Sequence, residues 1–333
     1  MAKAPAAWLS IALMCIAAPC LAAPVEQLKL LSEHVVDGMR GGNLSGLAAC
    51  GDGLWTVSDR DDDVIYRFDP SSSPVWQAHA LAIKVPAPPP SGLSEGVRLM
   101  VKASTYVRGG SLDFEGISCD AQGNRYVVSE AYASVLKVPR GGAPQWLPID
   151  PAVVGEARER GLLAHFNAIF EGIAVDPGGK RMWLAAEREQ RGLLVIKRRD
   201  GDQGWGCEGH CVLLSEAGYV ALPTQITSRQ PRVKDFSDLS LYKGKLYTLE
   251  RNAYQICRRD PVTATVEHCW SFANEVLAPG RRYDQPYGLL EALVIDEQGA
   301  WLGVDNNDKP REDGEVRPIV WRFAAPQSGW EAP

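Results

Sequence analysis

The sequence predicts an all-β protein, a β-propeller with five recognisable four-stranded blades. Three observations support this: a hairpin-like segment recurs five times, glycine and proline number 32 and 23, and long amphipathic runs free of both are scarce. This composition favours short strands joined by turns. Recurrence of such units along a chain is typical of propeller blades.

Residues 1–23 have the pattern of a secretory signal peptide. Lys3 precedes an apolar run that begins near Trp8, and small residues surround Ala22. The apolar run is too short to span a bilayer. We expect residues 24–333 to form a single propeller domain in the periplasm or outside the cell, a monomer with no membrane span.

The number of cysteines indicates the cellular compartment, and the net charge indicates which partners are excluded. Six cysteines lie beyond the predicted signal peptide, an even number suited to disulfides in an oxidising compartment. The predicted pairs are Cys207–Cys211 in a short loop, Cys257–Cys269 across a hairpin and Cys50–Cys119 between neighbouring repeats. The formal net charge is −6 and no basic cluster is interleaved with aromatics, which argues against a nucleic-acid partner.

Each of the five repeats has an apolar pentad, a turn with glycine, a second apolar strand and a terminal acid. Turns of this kind suit tight hairpins. The repeats are NLSGLAACGDGLWTVSD, DFEGISCDAQGNRYVVSE, IFEGIAVDPGGKRMWLAAE, DFSDLSLYKGKLYTLE and LLEALVIDEQGAWLGVD.

Further strand-like runs follow each hairpin and complete the blades. Third strands are predicted in VIYRFD, SVLKVP, GLLVIK, AYQICRRD and PIVWRF, and fourth strands in VWQAHALAI, APQWLPI, CVLLSEA and TVEHCWSF. The fifth repeat lacks a fourth strand, which EQLKLLSEHVV near the start could supply, closing the ring and removing its exposed edges. Residues 94–108 could hold part of a sixth blade, and 153–168 is predicted to be a short helical insertion.

The propeller geometry brings the acids of the repeats together. The first strand of a blade lines the central channel, so its start and the end of the second strand lie at one mouth, here called the funnel. Eight carboxylates are predicted there. They are Glu115, Glu171 and Glu291 in the pentads, with Asp59, Glu130, Glu187, Glu250 and Asp305 at the hairpin ends, while Ser45 and Ser237 replace the acid in two repeats.

Like charges at this density need compensation, because burial and repulsion raise carboxyl pKa values. One solution is a cation such as Ca²⁺, which prefers oxygen ligands. The predicted ligands are Glu115, Glu171, Glu291, Glu130, Glu187 and Asp305. Another solution is the arginine after a hairpin acid, at Arg60, Arg188 and Arg251. In the alternative interpretation, the acids only bond one blade to the next.

The paired FEG hairpins and DFSDLSLYKGKLYTLERN resemble the phytase-like β-propeller family, described as esterase-like activity of phytase. The resemblance extends over residues 42–323. It implies a propeller fold and hydrolysis of a phosphate or carboxylate ester. It also places Glu115, Glu171 and Glu291 at the acid position of the family's repeat.

Other residues complete the predicted site. His165 lies just ahead of a first strand and could act as a base, beside Glu115 and Glu171 as catalytic carboxylates. Arg60, Arg188, Arg251 and Lys309 are the candidate substrate-binding cations, and Arg311 accompanies Lys309 in a polar loop. The motif GLSEG around Ser94 matches a nucleophile elbow, but no helix is evident after it, so we interpret it as a chance match.

Two functions follow from this site. The first is a calcium-assisted ester hydrolase in which a funnel carboxylate is the base and a small-molecule ester or phosphate is the substrate. The second is a non-catalytic propeller whose funnel binds a ligand or an envelope protein, since this fold supports unrelated functions.

Overall fold

Five antiparallel sheets form a closed ring around a central channel. The computed structural model describes residues 25–51, 53–199, 201, 204–227, 230–285 and 288–332, with the backbone alone for 105–108. The first strand of each sheet contacts the first strands of its two neighbours, from the first sheet round to the fifth and back. The predicted five-bladed propeller is confirmed. The predicted signal peptide lies outside the described residues.

The blades are numbered along the chain, with strands given from the channel outward. Blade one has Gly46–Cys50, Gly53–Val57, Val64–Phe68 and His79–Ala82. Blade two has Phe114–Cys119, Arg125–Ser129, Ser134–Val138 and Gln145–Trp146. Blade three has Phe170–Val175, Arg181–Ala186 and Arg191–Arg198, followed by Trp205–Gly206 and Val212–Glu216, which both pair with Arg191–Arg198. Blade four has Asp238–Tyr242, Lys245–Glu250, Gln255–Arg259 and Val266–Ser271. Blade five has Leu290–Asp296, Gly299–Val304, Ile319–Ala324 and Leu30–Asp37.

The closing strand is confirmed. Leu30–Asp37 pairs antiparallel with Ile319–Ala324, so the beginning of the described chain completes blade five. The short strand Glu26–Gln27 instead lies parallel to Val266–Ser271 at the edge of blade four. Val75–Gln77, predicted within the fourth strand of blade one, pairs in parallel with Leu30–Asp37 at the edge of blade five.

The helices lie outside the blades. They are Glu95–Arg108, Pro151–Glu159 and Ala273–Val276, with a 3-10 turn over Arg251–Ala253. Pro151–Glu159 lies at the start of the predicted helical insertion. Glu95–Arg108 shows that the idea of part of a sixth blade at 94–108 was wrong. A helix does therefore follow Ser94, but no strand precedes it over residues 83–93, so the elbow geometry is absent from this described segment.

The core is divided among the five gaps between neighbouring blades. Each gap holds one cluster of buried apolar side chains, because strand residues alternate in direction and both faces of most blades are covered. Phe114 and Trp55, for example, pack between blades one and two. Among the described residues, no helix is long and apolar enough to cross a bilayer.

The three predicted disulfides are confirmed. Cys207–Cys211 closes a short loop, Cys257–Cys269 joins two paired strands of blade four, and Cys50–Cys119 links blades one and two. Together with the fold, they are consistent with an extracellular location.

Removing the link between blades one and two should cost more stability than removing the hairpin bridge. Cys50 and Cys119 are 69 residues apart and Cys257 and Cys269 only 12. Chain entropy predicts losses of about 4 and about 3 kcal/mol for the two double serine variants. Urea unfolding at equilibrium measures both. An equal or larger loss for the hairpin pair would contradict the entropic argument.

Candidate functional site: an acidic funnel

A β-bulge at the start of the inner strand places each glutamate of the repeat. In blade two, Phe114 pairs with Ser129 and Gly116 with Val128, so Glu115 is an extra residue between them. The same shift occurs at Glu171 and at Glu291. A bulge re-aims the side chain of its extra residue, and all three glutamates line the funnel.

Directly after the bulge, neighbouring inner strands approach backbone to backbone. A Cβ atom on Gly46 would lie 2.9 Å from Gly116 Cα, and one on Gly172 would lie 2.7 Å from Asp238 Cα. A Cβ on Gly116 would lie 2.5 Å from Glu171 O. In blades one, two and three glycine is required at this position, because a side chain would collide with the next blade.

Asp238 takes the corresponding position in blade four and is fully buried. Its Oδ1 accepts a hydrogen bond from Leu239 N at 2.8 Å and its Oδ2 one from Leu293 N at 2.7 Å. The backbone N–H groups of Leu47 and Ile173 also face it and favour its ionised form. Burial raises the pKa of Asp238 well above its usual value, and these backbone hydrogen bonds oppose that shift. One carboxylate thus interacts with the inner strands of four blades.

The funnel is a cavity of about 480 Å³ at one end of the channel. Six of the eight predicted carboxylates line it: Asp59, Glu115, Glu171, Glu187, Glu291 and Asp305. Glu130 is not among the lining residues, and its Oε1 accepts a hydrogen bond from Ile169 N of the next blade at 3.0 Å. Glu250 forms ion pairs with Arg191 and Arg259. For these last two acids the blade-to-blade interpretation describes the observed contacts.

Two groups of three buried acids could hold a metal ion. In each group, one carboxylate oxygen per residue lies within 4.8 Å of the others. The Glu115 cluster consists of Asp59, Asp113 and Glu115, and the Glu171 cluster consists of Glu130, Glu171 and Glu187. Glu291 and Asp305, also predicted as ligands, line the same cavity outside these two clusters.

Burial dominates the titration of these acids. It raises the pKa of Glu115 well above its usual value, and the charges of Glu171 and Asp113 raise it further. Burial likewise raises the pKa of Glu171, reinforced by Glu187 and Glu130. Neither side chain has a hydrogen-bonding partner among the described residues, although each is only 6% exposed.

The same cause raises the pKa of two further acids. Burial, with the charge of Asp59, raises the pKa of Asp305 to about 7. Burial raises the pKa of Asp235 to about 6, although the charge of Arg251 opposes the shift.

Arg251 is the buried counter-charge of the funnel. Its Nε donates to Asp235 Oδ2 at 3.0 Å, and its two terminal nitrogens pair with Glu187 and Glu291. Arg188 also pairs with Glu187 Oε1, whereas Glu187 Oε2 is buried without a hydrogen-bonding partner in the described chain. The predicted compensation by arginine is therefore present but incomplete.

The other predicted residues lie at the rim. His165 is exposed and borders a shallower pocket that shares Asn167 and Arg188 with the funnel. Arg60 pairs with Asp308 at 2.6 Å, and Lys309 is exposed outside the lining. Arg311, in the same loop as Lys309, instead pairs with Glu33 and Asp313.

Sequence reasoning overlooked three residues of this site. Asp113 and Asp235 stand directly before the phenylalanine of their repeats, and this repeated Asp-Phe pair was a usable signal. Arg232 also lines the funnel, and no repeat pattern marks it.

The chain is similar to one known protein family. The phytase-like family, described as esterase-like activity of phytase, matches residues 40–266. The chain belongs to this family. No curated protein matches the sequence significantly.

Solved structures resemble this phytase-like propeller only distantly. Glutaminyl cyclase from Myxococcus xanthus is 11% identical, with 90% of this chain and 98% of that chain covered and a TM-score of 0.49. PQQ-bound aldose sugar dehydrogenase from Streptomyces coelicolor is 14% identical, with 91% and 100% covered and a TM-score of 0.44. At these values neither structure informs the chemistry of the funnel.

Proposed function

We propose that this phytase-like propeller is a periplasmic or secreted hydrolase that cleaves a phosphate or carboxylate ester in the funnel with the help of a divalent cation. One observation carries the proposal: Glu115 and Glu171 are buried, face the funnel and lack hydrogen-bonding partners in the described chain. Buried carboxylates without partners are costly. They are expected where a ligand or a reaction uses them.

The donor set fits a hard cation such as Ca²⁺. All six side chains of the two clusters offer carboxylate oxygens, the ligands that Ca²⁺ prefers. Glu187 Oε2 adds a buried oxygen with no partner in the described chain. Glu115, Glu171, Glu130 and Glu187 would hold the cation together with Asp59 and Asp113, while Glu291 and Asp305 would contribute charge from the same cavity. A bound cation would supply Lewis-acid polarisation of the ester oxygen.

The chain's own residues would bind the substrate and move the proton. Glu115 or Glu171 is the candidate base. Burial raises the pKa of both carboxyl groups toward neutral pH, and a base works best when its pKa lies near the pH of the reaction. Arg188, half-buried in the lining, would orient the substrate. His165 could assist only from the rim, because it lies outside the funnel lining.

Turnover by the purified protein tests the proposal. We expect hydrolysis of p-nitrophenyl phosphate or p-nitrophenyl acetate with calcium, loss of it in chelator, and a fall of roughly 100-fold in kcat for Glu171→Gln. Glu95→Gln is the matched control, because that side chain is 95% exposed and lies outside the funnel lining. Absence of turnover on either ester would refute the hydrolase and favour the binding function.

Thermal stability tests the cation separately from turnover. In chelator, Glu171→Gln should raise the melting temperature at pH 8 by about 2–4 °C, because it removes a charge that the folded state disfavours. The folded pKa of Glu171 lies above 4.5, so this benefit appears as pH rises above that value and vanishes near pH 4.

Calcium should reverse the order of the two melting temperatures, so that the wild type melts at a higher temperature than Glu171→Gln. It should stabilise the wild type by mass action and the variant much less. Equal melting temperatures of the wild type with calcium and in chelator, and no metal in the purified protein, would end the cation proposal. The acids would then be interpreted as fasteners between blades.

A further inference from the structure

The three arginines that line the funnel differ in what they bind. Arg188 pairs with Glu187, and Arg251 pairs with Glu187, Asp235 and Glu291. Arg232 forms no ion pair with any described residue, and its Nε and Nη2 are buried without hydrogen-bonding partners there. A permanent cation in the funnel lining thus has two buried donors without a partner in the described chain.

Arg232 is held in place by its backbone. Arg232–Val233 pairs antiparallel with Tyr219–Val220 in a two-stranded ribbon between blades three and four. Asn252, a funnel residue, donates from Nδ2 to Val233 O at 3.2 Å, and its own N donates to Asp235 Oδ1. These hydrogen bonds hold the ribbon against the wall of the funnel. They thereby fix the backbone position from which the Arg232 side chain extends.

We propose that Arg232 binds an anionic group of the substrate, so that the funnel prefers esters that carry a phosphate or a carboxylate over neutral esters. The planar guanidinium offers five donors in a fork that matches both anions. Arg188 and Arg251 would have to give up acidic partners to do the same. Arg232 gives up none. This assignment rests on the proposed function for the reaction and for the cation that offsets the funnel acids, but binding of an anion does not require hydrolysis.

The carboxylates of the funnel do not exclude an anion under this proposal. A cation held by the two clusters would offset their charge, and the cavity volume of about 480 Å³ is within the usual range for small-molecule sites. Anion binding is therefore expected to be stronger with calcium than in chelator. The acids that line the funnel would repel the anion when no cation is present.

Binding of inorganic phosphate to the calcium-loaded full chain is the first test. Titration calorimetry at submillimolar calcium and phosphate should show that Arg232→Gln weakens binding about 10- to 100-fold, and that Arg232→Lys weakens it less. Arg98→Gln, on the surface of the helix Glu95–Arg108, should bind as the wild type does. Unchanged melting temperatures would show that the variants are folded.

Turnover of a matched ester pair is the second test. Arg232→Gln should raise KM for p-nitrophenyl phosphate about 10- to 100-fold and leave that for p-nitrophenyl acetate unchanged. Phosphate binding equal to the wild type by Arg232→Gln would overturn the assignment. If the wild type hydrolyses neither ester, the proposed hydrolase fails, and phosphate binding alone still decides the role of Arg232.

Discussion

Replacing Asp238 with alanine is expected to destabilise the protein by about 4 kcal/mol or more. The carboxylate accepts backbone hydrogen bonds from Leu239 and Leu293, two further backbone N–H groups face it, and each buried donor left without a partner costs about 1–3 kcal/mol. Chemical unfolding at equilibrium measures the loss. Asp238→Asn should also destabilise the protein, because the side-chain NH2 group would face backbone N–H groups that need an acceptor.

A neighbouring position supplies the control. Ser240, two residues further along the same strand, accepts a single hydrogen bond from Ile295 N at 3.0 Å. Ser240→Ala should therefore cost only about 1 kcal/mol. If Asp238→Ala lies within 1 kcal/mol of the wild type, the inner strands do not depend on this carboxylate.

An anion should partly replace the missing carboxylate. Removing the side chain of Asp238 would leave several N–H groups directed at one small space, an arrangement that attracts anions. The melting temperature of Asp238→Ala should accordingly rise more steeply with sodium chloride than that of the wild type. Parallel salt responses would contradict a converging set of donors, even if the variant is too unstable for an unfolding curve at low salt.

Replacing Arg251 with glutamine is expected to cost about 3–5 kcal/mol in chelator, because it removes the counter-charge of Asp235 and Glu291 and one of the two arginines that pair with Glu187. Its partners Asp235, Glu187 and Glu291 are at most 12% exposed in their side chains. Arg60→Gln is the matched control, since Arg60 also follows a hairpin acid but pairs with Asp308, which is 70% exposed. That change should cost less than about 1 kcal/mol.

The pH dependence of the Arg251 variant has a definite sign. Burial raises the pKa of Asp235 to about 6 against the opposing charge of Arg251, so without the guanidinium this pKa rises further, and ionisation of Asp235 disfavours the folded state as pH increases above about 4. The defect should be largest at pH 7–8 and smallest near pH 4. Calcium should restore part of the stability at pH 7. A loss that is the same at pH 4 and pH 8 would indicate packing rather than charge as the role of Arg251.

The helix Glu95–Arg108 marks one limit of sequence reasoning and could have been found. Leu93, Val97 and Val101 are buried and four residues apart, a helical spacing that indicates one apolar face. The helix was missed because the repeat of propeller blades was assumed to continue through these residues. The displacement of Val75–Gln77 to blade five is different, because an outer strand pairs with whichever edge is open nearby, which local pattern does not specify.

What the sequence alone determined is local. Alternating apolar residues, glycine turns and a terminal acid define each hairpin within about twenty residues, so the five blades, the closing strand and the three disulfides could be predicted. The convergence of the acids also followed, because antiparallel pairing brings the start of the first strand and the end of the second to the same mouth of the ring.

Only the tertiary structure decided which role each of several similar residues has. Glu187 and Glu250 end equivalent hairpins, yet Glu187 lines the funnel and Glu250 is occupied by Arg191 and Arg259. Asp238 accepts backbone hydrogen bonds from blades four and five, and Arg232 reaches the funnel from a ribbon outside the repeat. These roles depend on burial and on partners distant in the chain, and both arise only when the ring closes.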